Sequence, residues 1–307
     1  MAAIALGLRA VPALPRTLAL CLAEARPLVL GVSLLRFLSG VALALPVAAS
    51  PDPPTVLRGA AAWVASVFAV YLFNGVTDVT EDRINGSGRP IARGDLDPRT
   101  AAAVAAAGAG LAVLAAVGLP GPMTWIVMGN LVLGHLYSGP PLRLKGSAGG
   151  TVAVLCLSGL LSYLGGFVVA TAGGADVPVP PGLAVFAAAA IGWMVLVGVP
   201  AKDLSDIEGD AAAGRRTFGV LVGERGARLA MTAASPALCA ALGAAVWWFG
   251  VPLLGVFVAM AAGSAGVVAT ARRRTEKGRR SLRRPYGVFM GTQHVVHLTA
   301  VVCAIWI

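Results

Sequence analysis

The chain has 307 residues, 57% of them hydrophobic and only 12% charged, with 24 Lys and Arg against 14 Asp and Glu and a formal net charge of +10. A soluble domain carries about 25% charged residues, so this composition excludes an ordinary water-soluble enzyme and points to an integral membrane protein. The four cysteines, Cys21, Cys156, Cys239 and Cys303, are scattered singly through apolar stretches, which excludes a disulfide framework and leaves small buried thiols.

Residues 1–27 hold Arg9, Arg16 and Arg26 on short apolar runs broken by Pro12 and Pro15. No cleavable signal is apparent there, and the segment reads as a cytoplasmic lead-in, interfacial in character. Nine apolar segments follow, near 28–48, 58–80, 101–118, 123–138, 149–171, 182–201, 229–249, 252–271 and 287–307. Each spans a bilayer, or nearly so, at about 1.5 Å rise per residue. Ala and Gly dominate them, which suits close helix packing in lipid. The expected fold is one all-α membrane domain over 1–307, with about nine transmembrane helices bundled around a central cavity.

Charge gives the orientation. With the N-terminus inside and the spans threaded alternately, all Lys and Arg except Arg36 and Arg58 lie on the inner side, and the outer loops 48–55, 118–122, 172–181 and 250–252 hold none. This is a positive-inside pattern, so the basic balance requires no nucleic-acid partner. The run from Arg272 to Arg284 reads as an anionic-lipid contact.

Half of the acidic residues fall in two short windows at the inner ends of the second and sixth spans, around Asn74–Asp82 and Lys202–Asp210. Asn74, Asp78 and Asp82 recur at i, i+4, i+8 and cover about 80° of a helix face; Asp203, Asp206 and Asp210 recur at i, i+3, i+7 and cover about 60°. Carboxylate and amide oxygens are hard donors suited to Mg2+, and two such clusters across a cavity form a cradle for a diphosphate. Counter-charge for neighbouring arginines accounts for Asp95, Asp97 and Glu224, but not for two matched one-faced triplets. Glu81 and Glu208 point away from their triplets and read as solvated. The two windows lie four spans apart, each followed by a Gly- and Arg-containing loop, which suggests a parallel repeat of four-helix units plus one helix.

Arg89, Arg143, Lys145, Lys202 and Arg215 lie at the level of the acids, where they either grip phosphate oxygens or simply follow the positive-inside rule, except that Lys202, next to Asp203 at the span end, reads as part of the site. Tyr137 either turns its ring face to a cation or anchors at the interface. Arg36, about 15 Å inside the first span, either binds an anionic or phenolic acceptor or snorkels. His135, His294 and His297 show no ligand spacing and read as packing or helix-to-helix hydrogen bonds.

The strings FNGVTDVTEDRINGSGRPIARGDL, YSGPPLRLK and KDLSDIEGDAAAGRRTFGV, with Ala25-Arg26-Pro27 before the first span, resemble the signatures of the UbiA-type intramembrane prenyltransferase superfamily. The resemblance covers essentially the whole chain. It implies a Mg2+-dependent transfer of a prenyl group from a prenyl diphosphate to a lipophilic, aromatic-type acceptor, with release of pyrophosphate. The superfamily's first motif is met by Asn74, Asp78 and Asp82 and its second by Asp206 and Asp210, with Asp203 as an added acid. Resemblance and residue pattern together give Asn74, Asp78, Asp82, Asp203, Asp206 and Asp210 as candidate metal ligands, Asp78, Asp206, Lys202 and Tyr137 as candidate catalytic residues, and Arg89, Arg143, Lys145, Lys202, Arg215 and Arg36 as candidate substrate contacts. Two positions depart from the superfamily pattern: Gly75 stands where it usually has Asp, and Val199 where it often has Tyr. A membrane terpene cyclase without acceptor and, more remotely, a transporter are the alternatives. The Ala-, Gly- and Arg-rich composition suggests a GC-rich bacterial genome, hence a plasma membrane with the site facing the cytoplasm.

Overall fold

The computed structural model describes residues 14–48, 51–174, 176–273 and 278–306. The start of the lead-in, with Arg9 and Pro12, and parts of the 48–55 and 172–181 loops and of the basic run lie outside the described residues, as does the end of the ninth expected span.

Helix α1 (Leu14–Glu24) precedes α2 (Pro27–Ala44), α3 (Pro53–Thr77), the short α4 (Val79–Ile84) and α5 (Pro90–Arg93), α6 (Pro98–Ala116), α7 (Met123–Ser138) and α8 (Ala148–Ala170). Helices α9 (Pro181–Trp193), α10 (Val199–Asp203), α11 (Ile207–Ala212), α12 (Phe218–Phe249), α13 (Leu254–Arg272) and α14 (Arg279–Trp306) complete the chain. Two long helices begin at an Asp-Pro pair. The Oδ2 atoms of Asp52 and Asp97 accept from the Thr55 and Thr100 N–H groups at 3.0 and 2.9 Å, while Pro53 and Pro98 occupy a first-turn position that needs no N–H.

Helix α2 packs along α8 and α14, α3 along α6 and α7, and α13 between α12 and α14. Glycine sets the tightest crossing. A Cβ on Gly166 would overlap the Phe37 carbonyl oxygen, and one on Gly40 that of Tyr163, so α2 and α8 meet backbone to backbone. Between spans, polar pairs replace lost water: Asn130 Nδ2 donates to Ser66 Oγ at 3.0 Å and its Oδ1 accepts from Ser158 at 2.7 Å.

Eight helices among the described residues are long and apolar enough to cross a membrane. The segment expected at 123–138 is α7, whose 16 residues reach about 24 Å, short of a hydrocarbon core of about 30 Å. The expected sixth span is not uniform: Met194–Gly198 is a π-helical turn, closed by the Val199 N–H on the Met194 carbonyl, just before Pro200 removes a donor from the ladder. The seventh begins at Phe218 rather than near 229, because the helix continues across a break at Gly223 (φ 68°, ψ 178°).

Candidate active site

Neither acidic cluster lies on one straight helix. Asp78 (φ −100°, ψ 8°) separates α3 from α4, and Asp206 (φ −117°, ψ −2°) separates α10 from α11. Each triplet therefore straddles a break instead of lying on one continuous helix. The two breaks are built alike. One offset in the sequence carries Asp78 to Asp206, Asp82 to Asp210 and Gly86 to Gly214. The Asp82 N–H donates to the Asp78 carbonyl at 2.8 Å and Asp210 to Asp206 at 2.9 Å; beyond each short helix, Ser87 donates to the Asp82 carbonyl at 2.7 Å and Arg215 to that of Asp210 at 2.9 Å. Gly86 (φ 59°) and Gly214 (φ 68°) turn the chain through the left-handed region.

Asn74, Asp78, Asp82, Asp203, Asp206 and Asp210 all line one cavity, together with Tyr137, Lys145, Lys202, Arg215 and, deeper, Arg36. Lys145 Nζ lies 2.7 Å from Asp78 Oδ1. Arg215 bridges the clusters, with Nη2 2.8 Å from Asp78 Oδ1 and 2.5 Å from Glu81 Oε1, and Nη1 3.1 Å from Asp210 Oδ1. Glu81 therefore belongs to the wall and not, as expected, to solvent. Lys202 Nζ is 3.2 Å from Asp206 Oδ2 and 3.9 Å from Asp203 Oδ1. Asn74 gives its Nδ2 to Ser138 Oγ at 3.0 Å, which leaves Oδ1 as its free donor atom. Burial alone would raise the Asp78 carboxyl, but Lys145 and Arg215 hold it down at about 2. Asp206 is likewise lowered, against its burial, by Lys202 and the Ser205 hydroxyl.

Lys145 and Arg215 come from loops far apart in sequence. The Arg216 N–H donates to the Gly146 carbonyl at 2.7 Å and the Ala148 N–H to that of Arg216 at 2.9 Å, a parallel bridge that fastens one loop to the other.

Two of the expected contacts fall outside the cavity wall. Arg143 is exposed, at φ 42° before a 3-10 turn, while its neighbour Lys145 turns inward. Arg89 is buried behind the wall: its Nη1 lies 2.9 Å from Asp82 Oδ2 and its Nε 2.7 Å from Glu24 Oε1. Conversely, Arg26 lines the cavity, and its left-handed backbone (φ 60°) before Pro27 is unusual for a residue with a side chain. Its sequence signal was its place in the Ala25-Arg26-Pro27 string before the first span; Glu24 offered none.

The same cavity is also lined by Val29, Val32, Val67, Met194 and Phe289, by the polar Ser33, Asn130 and Ser162, and by Arg36. No carboxylate pairs with Arg36 among the described residues; its Nη2 donates to Gln293 Oε1 at 3.2 Å. His297, 1% exposed, donates from Nδ1 to the Gln293 carbonyl at 2.6 Å, so its Nε2 accepts the Tyr163 hydroxyl at 2.6 Å.

Among the described residues no three His, Cys, Asp or Glu converge into a ready-made metal cage. Mg2+ does not require one: it binds through one or two carboxylates, water and the substrate's phosphates. Six hard oxygen donors on the walls of one cavity fit that mode.

The family model described as the UbiA prenyltransferase family matches residues 33–292. A digeranylgeranylglyceryl phosphate synthase from Natronomonas pharaonis is 34% identical over 165 residues, 53% of this chain and 56% of that protein, so the match spans about half of each. A UbiA homologue from Archaeoglobus fulgidus, solved with GPP and Mg2+, superposes with a TM-score of 0.62 at 20% identity, covering 92% of this chain and 99% of the other. One from Aeropyrum pernix K1 gives 0.65 at 18% identity, covering 89% and 97%.

Proposed function

Because the chain belongs to the UbiA prenyltransferase family and is thus a prenyltransferase, we propose that it moves a prenyl group from a prenyl diphosphate to a lipophilic acceptor, with Mg2+ and release of pyrophosphate. One observation carries this reading: a single cavity is lined by both acidic clusters, by the cations Arg26, Lys145, Lys202 and Arg215, and by apolar side chains.

Asn74, Asp78, Asp82, Asp203, Asp206 and Asp210 would hold the metal. Bound there, Mg2+ neutralises the diphosphate and stabilises its departure. The protein's own cations do the rest. Lys145 and Arg215 turn from Asp78, and Lys202 from Asp206, to oxygens of the diphosphate, so each released carboxylate regains a donor site as each cation gains a phosphate. The prenyl tail lies against the apolar side chains of the cavity, which keep water from the allylic cation. Tyr137 and Tyr71 also line the cavity, and a ring face turned inward from either would stabilise that cation. Carbon–oxygen cleavage leaves the electron pair on pyrophosphate, and a nucleophilic carbon or oxygen of the acceptor supplies the pair for the new bond, losing its proton.

Arg36 favours a transferase over a cyclase that folds the prenyl chain on itself. A cation without an acidic partner in a low-dielectric cavity is costly, and an acceptor with an anionic or phenolic group would neutralise it. The relative's name, a digeranylgeranylglyceryl phosphate synthase, points to a prenylated glyceryl phosphate as one such acceptor. The positive-inside pattern of the basic loops supports an acid end and N-terminus that face the cytoplasm. Exposed Trp125, Trp247, Trp248 and Trp306, at helix ends away from the acids, suit the outer interface.

The test is pyrophosphate release from geranyl, farnesyl and geranylgeranyl diphosphates by the protein in lipid with Mg2+, with Asp206→Asn as blank. Release that depends on added acceptor supports the transferase. Release with a cyclic hydrocarbon or alcohol as sole product replaces it with the cyclase.

A further inference from the structure

Gly75 leaves a gap in the first acidic cluster, and a carboxylate from outside the cluster fills it. The offset that carries Asp78 to Asp206 also carries Gly75 to Asp203, Arg89 to Thr217 and Ile91 to Gly219. In the second half, Asp203 Oδ2 accepts the Gly219 N–H at 3.0 Å, and Thr217 Oγ1 donates to Asp210 Oδ2 at 3.1 Å. In the first half, Arg89 Nη1 donates to Asp82 Oδ2 at 2.9 Å, which matches Thr217 on Asp210. No carboxylate at position 75 can receive the Ile91 N–H. Glu24 Oε2 receives it instead, at 2.9 Å.

Glu24 is the last residue of α1 and is fully buried at 0% exposure. A Cβ built on Gly75 would overlap Glu24 Oε1 and fall 2.6 Å from Arg89 Nη2. The carboxylate therefore occupies the space that a side chain at position 75 would take. Its Oε1 forms an ion pair with Arg89 Nε at 2.7 Å, and Arg89 Nη2 also donates to the Glu24 carbonyl at 3.0 Å.

We propose that Glu24 takes over one task that Asp203 performs in the second cluster, receiving the equivalent loop N–H, and that it acts as a positioning residue, supplied by the N-terminal helix, that fixes Arg89 and through it turns Asp82 toward the metal. This rests on the reading of the clusters as a metal–diphosphate cradle. It makes α1 part of the site, although Glu24 precedes the residues that match the family. It also accounts for Gly75: the missing carboxylate has moved to another helix.

The test uses the full chain in lipid nanodiscs. Mn2+ binding is read by electron paramagnetic resonance in the presence of a non-ionising farnesyl thiolodiphosphate, and thermal unfolding without metal reports the fold. Glu24→Gln keeps an oxygen for the Ile91 N–H but loses the charge on Arg89. It should weaken Mn2+ binding about tenfold, the effect typical of removing an outer partner of a metal ligand, and raise the Mg2+ requirement of turnover more than it lowers kcat. Glu24→Ala should be at least as weak. Gly75→Asp alone should also be impaired, because two carboxylates claim one space. The double variant Glu24→Ala with Gly75→Asp should recover to within about threefold of the parent, since it restores the second half's arrangement. Unchanged Mn2+ affinity in Glu24→Gln, or a double variant no better than Glu24→Ala with both folded, overturns the proposal. Asp206→Asn serves as control. If it still binds Mn2+ normally, the cradle reading itself falls; if only the Glu24 variants bind normally, the cradle stands and Glu24 has no part in it.

Discussion

Replacing Asp78 with Asn exchanges one oxygen for a nitrogen and leaves the packing volume unchanged, so its effect is electrostatic. The carboxyl sits near 2 rather than the usual 3.8. At about 1.4 kcal/mol for each tenfold, that lowering is worth on the order of 2 kcal/mol of stability at neutral pH. The folded value is depressed, so this contribution is present above about pH 4 and is lost as pH falls toward about 2. The cost of the substitution is unevenly shared. Arg215 keeps Glu81 and Asp210 as partners. Lys145, its side chain 6% exposed, has no other carboxylate within ion-pair distance among the described residues. Asp78→Asn should therefore destabilise the protein by about 2–3 kcal/mol at pH 7, read as a shift in reversible unfolding in mixed micelles, with the gap to the parent closing toward pH 3. Asp78→Asn with Lys145→Met should regain much of the loss, because the stranded ammonium is gone. Pyrophosphate release should be absent in both. A single variant as stable as the parent at pH 7, or a gap that does not shrink in acid, would refute the assignment of Lys145 and Arg215 as the carboxylate's partners.

Three further outcomes are expected. Gly166→Val drives two methyls into the α2 backbone at Phe37 and should cost about 1–3 kcal/mol or prevent stable insertion, visible as loss of the folded peak in size-exclusion chromatography. Arg143→Ala, at an exposed position off the cavity, should leave pyrophosphate release within about twofold of the parent and stability within about 0.5 kcal/mol; a large drop would return Arg143 to the site. Arg36→Met should raise the KM for an anionic or phenolic acceptor by about tenfold or more, the worth of one charged hydrogen bond, while prenyl diphosphate binding measured by calorimetry stays unchanged.

The acidic triplets, the membrane character and most span boundaries were legible because spacing, apolar length and loop charge are local properties. Ala148–Ala170, for instance, differs by one residue at each end from the apolar run at 149–171. The breaks at Asp78 and Asp206 were not legible. A repeat of three or four residues continues through a ψ near zero as readily as through a straight helix, since the hydrogen bonds from Asp82 to Asp78 and from Asp210 to Asp206 persist. Arg143 and Lys145 look equivalent in sequence, yet the turn between them sends one to solvent and one to Asp78. The role of Glu24 depends on a contact with Ile91 and Arg89 across 67 and 65 positions. No window of the sequence contains both ends of that contact.

The bridge between the loops at Gly146–Ala148 and Arg216 has a mechanical consequence. The backbones that carry Lys145 and Arg215 are held to one another, while each side chain keeps its own rotamers. Were both cations to close on one anion, the loss of freedom would fall on the side chains and not on the loops that carry them.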